Sequence, residues 1–408
     1  MRVVISGQEL VLNEYIIGTP APYEEVYNFT EGMAHVKTGG KWGYVNTRGE
    51  MTIPAVYDKA FHFSAGAACV VQDGKASLID KQGGVVLATE YKWLNKLKDG
   101  YIRASNHNDL DGCLDPDGKL IVPCRYNIFF GFEGGLSLVM AGGHVYDDKA
   151  RYGYVGLDGA EAIPLIYSDA EYFDNGYAEV CTGGFRCDDG SKWGLIDTAG
   201  NVMISLEYSG ICQHESLVGF KAEDEGMWGV MDIRGKVILP AAYDKIYLRD
   251  GGVIAAHKDG KRGLFNTDGS QRLPFVYDKL SYWWEKTEMM AAGFDDKTGC
   301  IDYSGNVVIP FLYDNVDEFH FGRAAVEINE KYGMIDMRGN IVIPVEYNNI
   351  LDTCEEFTVA MKDRKIVILR GTDPVLSPFD CEMSHAFSDG VAWFKTDGLW
   401  YAISAKEI

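Results

Sequence analysis

The sequence lacks the usual signals for membrane insertion and export. It has no apolar run approaching the roughly 20 residues that a membrane-spanning helix requires. Its first residues, MRVVISGQELVL, have neither the long apolar stretch nor the cleavage site of a signal peptide. We therefore expect a cytoplasmic protein that does not enter a membrane.

Basic residues are also scarce. The chain has 38 Lys and Arg against 60 Asp and Glu, a formal net charge of −22. This balance disfavours binding to a nucleic-acid backbone or an anionic membrane, because both attract basic surfaces. It favours solubility and discourages pairing between exposed strand edges. We expect the partner to be another protein, possibly a basic one.

Familiar catalytic motifs are missing as well. The sequence contains no GxSxG, HExxH or P-loop, and no GxGxxG between a strand and a helix. The nine cysteines are odd in number and scattered, so we interpret them as reduced thiols. We expect no enzyme activity and no cofactor. A hydrolase with an unfamiliar site is the remaining enzymatic alternative.

What the sequence does contain is a repeat. Residues 41–58, KWGYVNTRGEMTIPAVYD, recur with starts at 75, 110, 151, 192, 227, 261, 297 and 331, and as decayed copies at 365 and 399. A fixed period of this size indicates a repeat architecture. Within the first copy, 42–46 and 51–54 read as two strands of a hairpin, and 66–71 reads as a third strand.

Four positions recur in most copies, and each suggests a structural role. In the first copy, Gly43 should let a neighbouring backbone or ring approach closely, and Gly49 should adopt a positive φ in the turn. Asn46, which is Asp in many copies, should start the turn through its side chain. Tyr57 should bury its ring while its hydroxyl finds a partner.

These units resemble the WG-containing repeat, or KWG repeat, family of bacterial proteins. The stretches KWGYVNTRGEMTIP, KWGLIDTAGNVMIS, MWGVMDIRGKVILP and KYGMIDMRGNIVIP carry the resemblance. The family implies an all-β repeat array and offers no catalytic residues to transfer. Three copies depart from the pattern: Ser77 replaces the first glycine in one, and the copies at 365 and 399 keep only the strand pattern.

The predicted fold is an all-β tandem array of about eleven three-stranded antiparallel units of about 34 residues each. Residues 1–408 form a single continuous array, with 1–40 as an N-terminal partial repeat or cap, 41–364 as the main repeats and 365–408 as a degenerate C-terminal cap. This number of units exceeds the usual size of one propeller. An open curved or spiral, solenoid-like array is therefore preferred to a propeller-like closed array.

Two insertions, at 141–149 and 181–190, fall between the third strand and the next hairpin. Insertions on one face of a repeat array often mark its binding surface. The candidate partner-binding residues come from these loops and from one off-pattern aromatic: His144, Tyr146, Asp147, Asp148, Phe185, Arg186, Asp188, Asp189 and Trp284. Several of them, with Cys181 and Cys187, are metal ligands by type, but their spacing is not that of a metal site, so we predict none.

The sequence therefore favours a non-catalytic protein-binding scaffold with an extended acidic β-repeat surface. One alternative is a carbohydrate- or cell-wall-binding module that uses exposed aromatics such as Trp284. Another is an acidic decoy that mimics nucleic acid in the basic cleft of a partner.

Overall fold

The chain folds as an all-β array of small antiparallel sheets, which confirms the predicted fold class. The computed structural model describes residues 2–5, 8–11, 15–17, 21–97, 99–144, 147–184, 190–222, 226–249, 252–281, 289–302, 304–353, 357–374, 380–384, 389, 391–396 and 398–405. Within these ranges every regular element is a strand, and no sheet closes into a barrel. The described part also holds no helix that could span a membrane. The chain divides into two compact units, residues 1–89 with 281–408 and residues 90–280.

Sheet 1 shows how one repeat is built. Its four strands, neighbours in chain order, are Glu25–Val26, Met33–Thr38, Lys41–Asn46 and Met51–Tyr57. All of its pairings are antiparallel. The KWG strand therefore lies between the strand that precedes it and its own return strand, and the sheet ends at Tyr57.

The sheet boundary falls inside the repeat as we delimited it from the sequence. After Tyr57 the chain begins sheet 2 with the two-residue strand Lys59–Ala60, and the strand predicted as the third of its unit pairs with the next hairpin instead. The sheet therefore has four strands where three were predicted. A strand of two residues is too short to show a hydrophobic period of its own, so the sequence pattern does not reveal it.

The first unit contains an N-terminal hairpin and several sheets of this kind. Their strands are Arg2–Ile5 and Gln8–Val11 in the hairpin; Lys59–Ala60, Ala68–Gln72, Lys75–Ile79 and Val85–Ala88 in sheet 2; Met289–Phe294, Lys297–Asp302 and Val307–Tyr313 in sheet 8; Asn315–Val316, Arg323–Ile328, Lys331–Asp336 and Ile341–Tyr347 in sheet 9; Asn349–Thr353, Thr358–Lys362, Lys365–Arg370 and Asp373–Pro374 in sheet 10; and Met383–Ser384, Val391–Thr396, Leu399–Ala405 and Tyr15–Ile17 in sheet 11. The decayed copies at 75, 365 and 399 thus still form strands.

The second unit repeats the same order. Its strands are Trp93–Lys96, Ile102–Ser105, Asp111–Leu114 and Leu120–Tyr126 in sheet 3; Ile128–Glu133, Leu136–Ala141, Arg151–Gly156 and Glu161–Tyr167 in sheet 4; Asp169–Ala170, Tyr177–Thr182, Lys192–Asp197 and Val202–Tyr208 in sheet 5; Gly210–His214, Leu217–Lys221, Trp228–Asp232 and Val237–Tyr243 in sheet 6; Lys245–Arg249, Val253–Lys258, Lys261–Asn266 and Gln271–Tyr277 in sheet 7; and the short Lys279–Leu280.

Sheet 11 joins the two ends of the chain. Tyr15–Ile17 pairs antiparallel with the last strand, Leu399–Ala405. A second contact follows, because the backbones of Ala21 and Trp400 exchange hydrogen bonds. The final sheet is therefore completed by residues from near the N-terminus.

The turn between the third and fourth strands is built as the sequence predicts. The side-chain oxygen of Asn46 accepts hydrogen bonds from the backbone N–H groups of Arg48 (3.0 Å) and Glu50 (3.1 Å). In the same way, the side chain of Asp336 accepts hydrogen bonds from the backbone N–H groups of Arg338 and Asn340, at 2.9 Å each. Gly49 has a φ of 74°, a conformation that glycine adopts without strain.

The glycine of the KWG motif allows two strands to come unusually close. A Cβ atom on Gly43 would lie 2.5 Å from the carbonyl oxygen of Ile53 and 2.7 Å from the nitrogen of Ala55. The pairing register shifts at this point, between Trp42 and Tyr44, so the fourth strand bulges over the glycine. The predicted close approach is confirmed, and backbone is what approaches.

Hydrophobic cores form between consecutive sheets. The core between sheets 1 and 2 contains the buried Tyr44, Ile53, Phe63 and Val70, with the half-buried Tyr57 against it. The hydroxyl of Tyr44 donates a hydrogen bond to the Phe61 carbonyl at 2.7 Å, which ties the connector of sheet 2 to sheet 1. Burial raises the pKa of Tyr57, as expected for a phenol removed from water.

The aspartate after this tyrosine links successive sheets. One carboxylate oxygen of Asp58 accepts the backbone N–H of Asp73 at 2.8 Å, in the tight turn of sheet 2. The other pairs with Lys41, the lysine of the KWG motif in sheet 1. Asp314 repeats both contacts, with Asn329 and Lys297. The conserved spacing of lysine and aspartate within the repeat therefore has a structural cause.

Candidate functional site

The two insertions lie where the sequence places them. They connect the second and third strands of sheets 4 and 5, where Ala141 pairs with Arg151 and Thr182 pairs with Lys192. In sheet 2 the same connection is a two-residue turn, Asp73-Gly74. Gly142 and Ala150 of the first insertion and Gly183 and Ser191 of the second therefore lie at equivalent ends of two successive sheets.

The first insertion is held together by its own backbone and side chains. His144 and Asp148 are exposed, and the carbonyl of His144 accepts the N–H of Asp147 at 2.9 Å. The carboxylate of Asp147 accepts the N–H of Lys149 at 3.0 Å, which is the largest cause of its lowered pKa. Arg151 donates to the Asp148 carbonyl at 2.7 Å. Asp147 thus stabilises the loop, while His144 and the Asp148 carboxylate face solvent.

Most of the other predicted contact residues lie outside the described part of the chain. They are Tyr146, Phe185, Arg186, Asp188, Asp189 and Trp284. Cys187 lies outside it too, whereas Cys181 is fully buried, with a pKa raised by burial. Within the described ranges no group of three or more potential ligands could hold a metal ion.

A recurring row of exposed apolar side chains was not predicted from the sequence. It consists of the residue two positions after the turn glycine, at the start of the fourth strand, and we call it the edge row: Met51, Val85, Leu120, Val202, Val237, Val307 and Ile341. In the described topology the fourth strand is the last of its sheet, so its outer edge has no neighbour within that sheet. The signal was available, because an apolar residue recurs at this position in phase with the turn glycine.

A cavity lined by aromatic rings lies between residues of sheets 1 and 2, in the first unit. It has a volume of about 340 Å³ and is lined mainly by Tyr27, His35 and Trp42 of sheet 1 and by Lys59 and His62 of sheet 2. We call it the aromatic pocket. Tyr27 is stacked on His35, with ring centroids 4.3 Å apart and planes 15° apart. Trp42 is tilted against both, at 5.8 Å from Tyr27 and 5.5 Å from His35.

The strand register explains how these rings meet. His35 lies on the second strand of sheet 1, opposite Tyr44, and Trp42 lies on the third strand, opposite Lys37. The backbone N–H of Tyr27 donates to the carbonyl of His35 at 3.2 Å, which places its ring over the imidazole. Three positions distant in sequence are thereby fixed side by side.

The electrostatics of the pocket centre on His35. Its side chain is only 7% exposed, and burial, with a smaller contribution from the charge of His62, lowers its pKa to about 4. The imidazole is therefore neutral at pH 7. Its Nδ1 atom is buried and has no hydrogen-bond partner among the described residues. Lys59 and His62 are exposed, so the positive charge lies where the pocket meets solvent.

Sequence reasoning did not find this pocket. Its residues belong to two successive sheets. Trp42 belongs to the KWG motif, whereas His35 belongs to no recognised motif. The register position of His35 varies between sheets: it is Cys69, Ala255 and Ala291 in three of them and Arg103, Leu138 and Glu179 in three others. The histidine therefore does not stand out in the sequence.

Together these features define a class of protein, a tandem β-repeat. The residues that recur in each repeat build the sheets, and the residues that differ between repeats form the loops and the aromatic pocket. The WG containing repeat model matches at residues 19–42, 42–75, 112–143, 152–184, 193–211, 228–261, 299–332, 332–365 and 375–400. The chain therefore belongs to the WG containing repeat family. No curated protein matches it.

Solved structures show only distant likeness. A crystal structure of the eukaryotic initiation factor aligns with a TM-score of 0.43 and 11% identity, over 86% of this chain and 97% of that one. The tricorn protease aligns with a TM-score of 0.27 and 12% identity, over 93% of this chain and 46% of that one. The WD40 β-propeller domain of Doa1 aligns with a TM-score of 0.25 and 11% identity, over 58% of this chain and 91% of that one. All three scores are below 0.5, so these likenesses carry no argument about this chain.

Proposed function

We propose that this WG-repeat chain is a non-catalytic scaffold that binds another protein along its sheet edges. The observation that supports this proposal is the edge row, in which an exposed apolar side chain recurs at one register position in seven of the fourth strands. Sheets 4 and 7 have Glu161 and Gln271 there. Exposed apolar positions at unpaired strand edges favour contact with a second chain. The net charge of −22 makes a basic partner the favoured one. We further propose a cytoplasmic location and no cofactor.

An acidic decoy of nucleic acid is a weaker proposal. Such a decoy needs free carboxylates at its surface, but Asp58, Asp278 and Asp314 are each paired with a lysine of the same chain. These pairs occupy carboxylates that a decoy would have to present to its partner. A scaffold that uses both apolar and acidic positions is more consistent with the described surface.

The test is affinity capture from native lysate of the source organism, with mass spectrometry as the readout. The intact chain is compared with a Leu120→Thr, Val202→Thr, Val237→Thr triple variant, which keeps the shape of the edge row and reduces its apolar character. The matched control carries Leu157→Thr, Met227→Thr and Met337→Thr, exposed apolar residues outside the fourth strands.

We expect a stoichiometric partner that the control retains and the edge variant loses. Loss of the partner from both variants, or from neither, would contradict recognition by the edge row. A further chain with loops 141–149 and 181–190 cut to two-residue turns tests the insertions. A partner lost only on trimming would move the binding surface to those loops. Capture of no stoichiometric partner by the intact chain would contradict the scaffold itself.

A further inference from the structure

The aromatic pocket contrasts with the rest of this acidic chain. Acidic residues outnumber basic ones by 60 to 38, yet the lining contains Lys59 and His62 and no carboxylate. Two acids close to the lining residues in sequence are paired with lysines, Glu25 with Lys37 at 2.7 Å and Asp58 with Lys41. The ammonium of Lys37 lies 5.6 Å from the Trp42 ring. The pocket is therefore neutral to positive inside a strongly negative molecule.

Its rings are arranged before any ligand arrives. The stacked Tyr27 and His35 and the tilted Trp42 form two walls of fixed orientation. Tyr27 is nevertheless 49% exposed, a large apolar ring left in contact with water. A flat aromatic molecule that covers these faces gains burial and ring contacts with little loss of side-chain freedom.

The polar atom nearest these rings does not face a ligand. Nδ1 of His35 is buried and has no partner among the described residues, so a ligand would contact the ring faces and not this nitrogen. The volume of about 340 Å³ is at the small end of ligand pockets and fits a ligand of one or two rings.

We propose that the aromatic pocket binds a small planar aromatic molecule that carries one anionic group. The ring lies against Tyr27 and Trp42, and the anionic group meets Lys59 and His62 at the mouth. The site does not depend on the proposed scaffold function, because a small-molecule titration needs no protein partner.

The experiment is calorimetric titration of the full chain with three matched probes. Indole-3-acetate has the ring and the charge, indole has the ring alone, and cyclohexaneacetate has the charge without aromaticity. We expect saturable binding of indole-3-acetate that is about tenfold tighter than binding of either other probe. No saturable binding of indole-3-acetate at millimolar concentration would overturn the proposal. Equal affinity for indole would overturn its anionic part.

Variants locate the site. Tyr27→Ala removes an exposed wall, and we expect it to weaken binding of indole-3-acetate about tenfold. The double variant Lys59→Gln, His62→Gln should weaken indole-3-acetate but leave indole unchanged. Tyr247→Ala is the matched control, because Tyr247 is 37% exposed on the first strand of sheet 7, opposite Ala255 rather than a histidine.

We expect Tyr247→Ala to bind as the parent chain does. Equal losses from Tyr27→Ala and Tyr247→Ala would place binding elsewhere and overturn the proposed site. Tyr27-dependent binding of N-acetylglucosamine without binding of indole-3-acetate would overturn the ligand class and favour a sugar. Circular dichroism of each variant shows whether the fold is kept.

Discussion

Sheets 1 and 7 share a framework and differ in their surface. Both pair the lysine that begins the third strand with the aspartate after the signature tyrosine, as Lys41–Asp58 and Lys261–Asp278. Both also carry an exposed tyrosine at the equivalent place, Tyr27 directly after the first strand of sheet 1 and Tyr247 on the first strand of sheet 7. The two sheets therefore share the backbone arrangement and the lysine–aspartate ion pair of the repeat.

Sheets 1 and 7 differ in the side chains at two register positions. The place of His35 is taken by Ala255 in sheet 7, and the place of Trp42 by Arg262, whose guanidinium donates to the Leu280 carbonyl at 3.3 Å. Among the rings of the described residues, Tyr247 pairs with His257, with centroids 5.2 Å apart and planes 52° apart. Within one fold, two side chains determine whether aromatic walls form beside the sheet.

The largest expected difference between the sheets lies in their glycines. Gly43→Ala would press a Cβ against backbone atoms at 2.5 and 2.7 Å, whereas Gly263→Ala would meet the Leu273 oxygen at 3.0 Å and the Phe275 ring at 3.2 Å. We expect free energies of unfolding to fall by about 3 kcal/mol for Gly43→Ala and about 1 kcal/mol for Gly263→Ala. Urea denaturation measures both, and equal losses would show that the bulge relaxes equally well in the two sheets.

Exchanging the side chains at the second KWG position should come next in size. Trp42→Arg removes a half-buried ring that packs against the core of sheets 1 and 2 and places a cation near Lys37. We expect a loss of about 2 kcal/mol in the free energy of unfolding. The reciprocal Arg262→Trp serves as the control and should cost less, since it removes no ring from a core. A smaller loss from Trp42→Arg than from Arg262→Trp would contradict this assignment.

Acid should distinguish the turn of sheet 1 from those of the other sheets. Its acceptor is Asn46, which does not titrate, whereas the turn of sheet 7 also uses Asp268 as an acceptor. Six other sheets have an aspartate at the place of Asn46: Asp80, Asp115, Asp197, Asp232, Asp302 and Asp336. In the last four, hydrogen bonds from side-chain amides or backbone N–H groups lower the pKa of the carboxyl below its ordinary 3.8. Their stabilisation is therefore complete above the pKa of the unfolded chain and is lost as the pH falls through the folded pKa.

The measurement is the unfolding midpoint from pH 6 down to about pH 3. A variant with all four aspartates changed to asparagine keeps one acceptor oxygen in each turn but loses the charge and, in three turns, the second acceptor. We expect it to be less stable than the parent at pH 6 and to lose less stability between about pH 6 and pH 3. Parallel curves for the two chains would show that these turns do not contribute to acid sensitivity.

The smallest expected effect on stability comes from the ion pair between Lys41 and Asp58. Lys41→Met breaks an exposed ion pair, so it should lower the unfolding midpoint only slightly, and the effect should vanish at high salt. Asp58→Ala also removes the acceptor for the Asp73 N–H and should cost more at any salt concentration. Lys261→Met is the matched variant in sheet 7 and should behave as Lys41→Met does. A large, salt-independent loss from either lysine would contradict a surface pair.

The local rules of the repeat could be predicted, but its boundaries could not. Gly49, Asn46 and Gly43 have roles that follow from one turn and one close approach, and recurrence within the chain makes such roles visible. A period is the same wherever a repeat is cut, so it does not show that the sheet ends at Tyr57. Only the pairing of Lys59–Ala60 with the following strand shows it.

The candidate site was harder to predict for a related reason. The loop at 141–149 could be located because an insertion interrupts a period, and the structure places it as expected. The aromatic pocket breaks no period. It depends on which rings face one another across His35 and Trp42 and on the neighbouring sheet that supplies Lys59. When the spacing of the repeats does not change, the sequence alone does not show which side chains meet. The strand register is needed to show it.

The pairing of Tyr15–Ile17 with Leu399–Ala405 has a consequence for synthesis on the ribosome. Residues 90–280 are contiguous and can fold as soon as they emerge, whereas the other unit needs both early and late residues. Its first strands must wait for nearly the whole chain to be translated before their last sheet can form. Nascent chains that stop short of residue 399 should leave that sheet incomplete, with its apolar face exposed to other molecules in the cell.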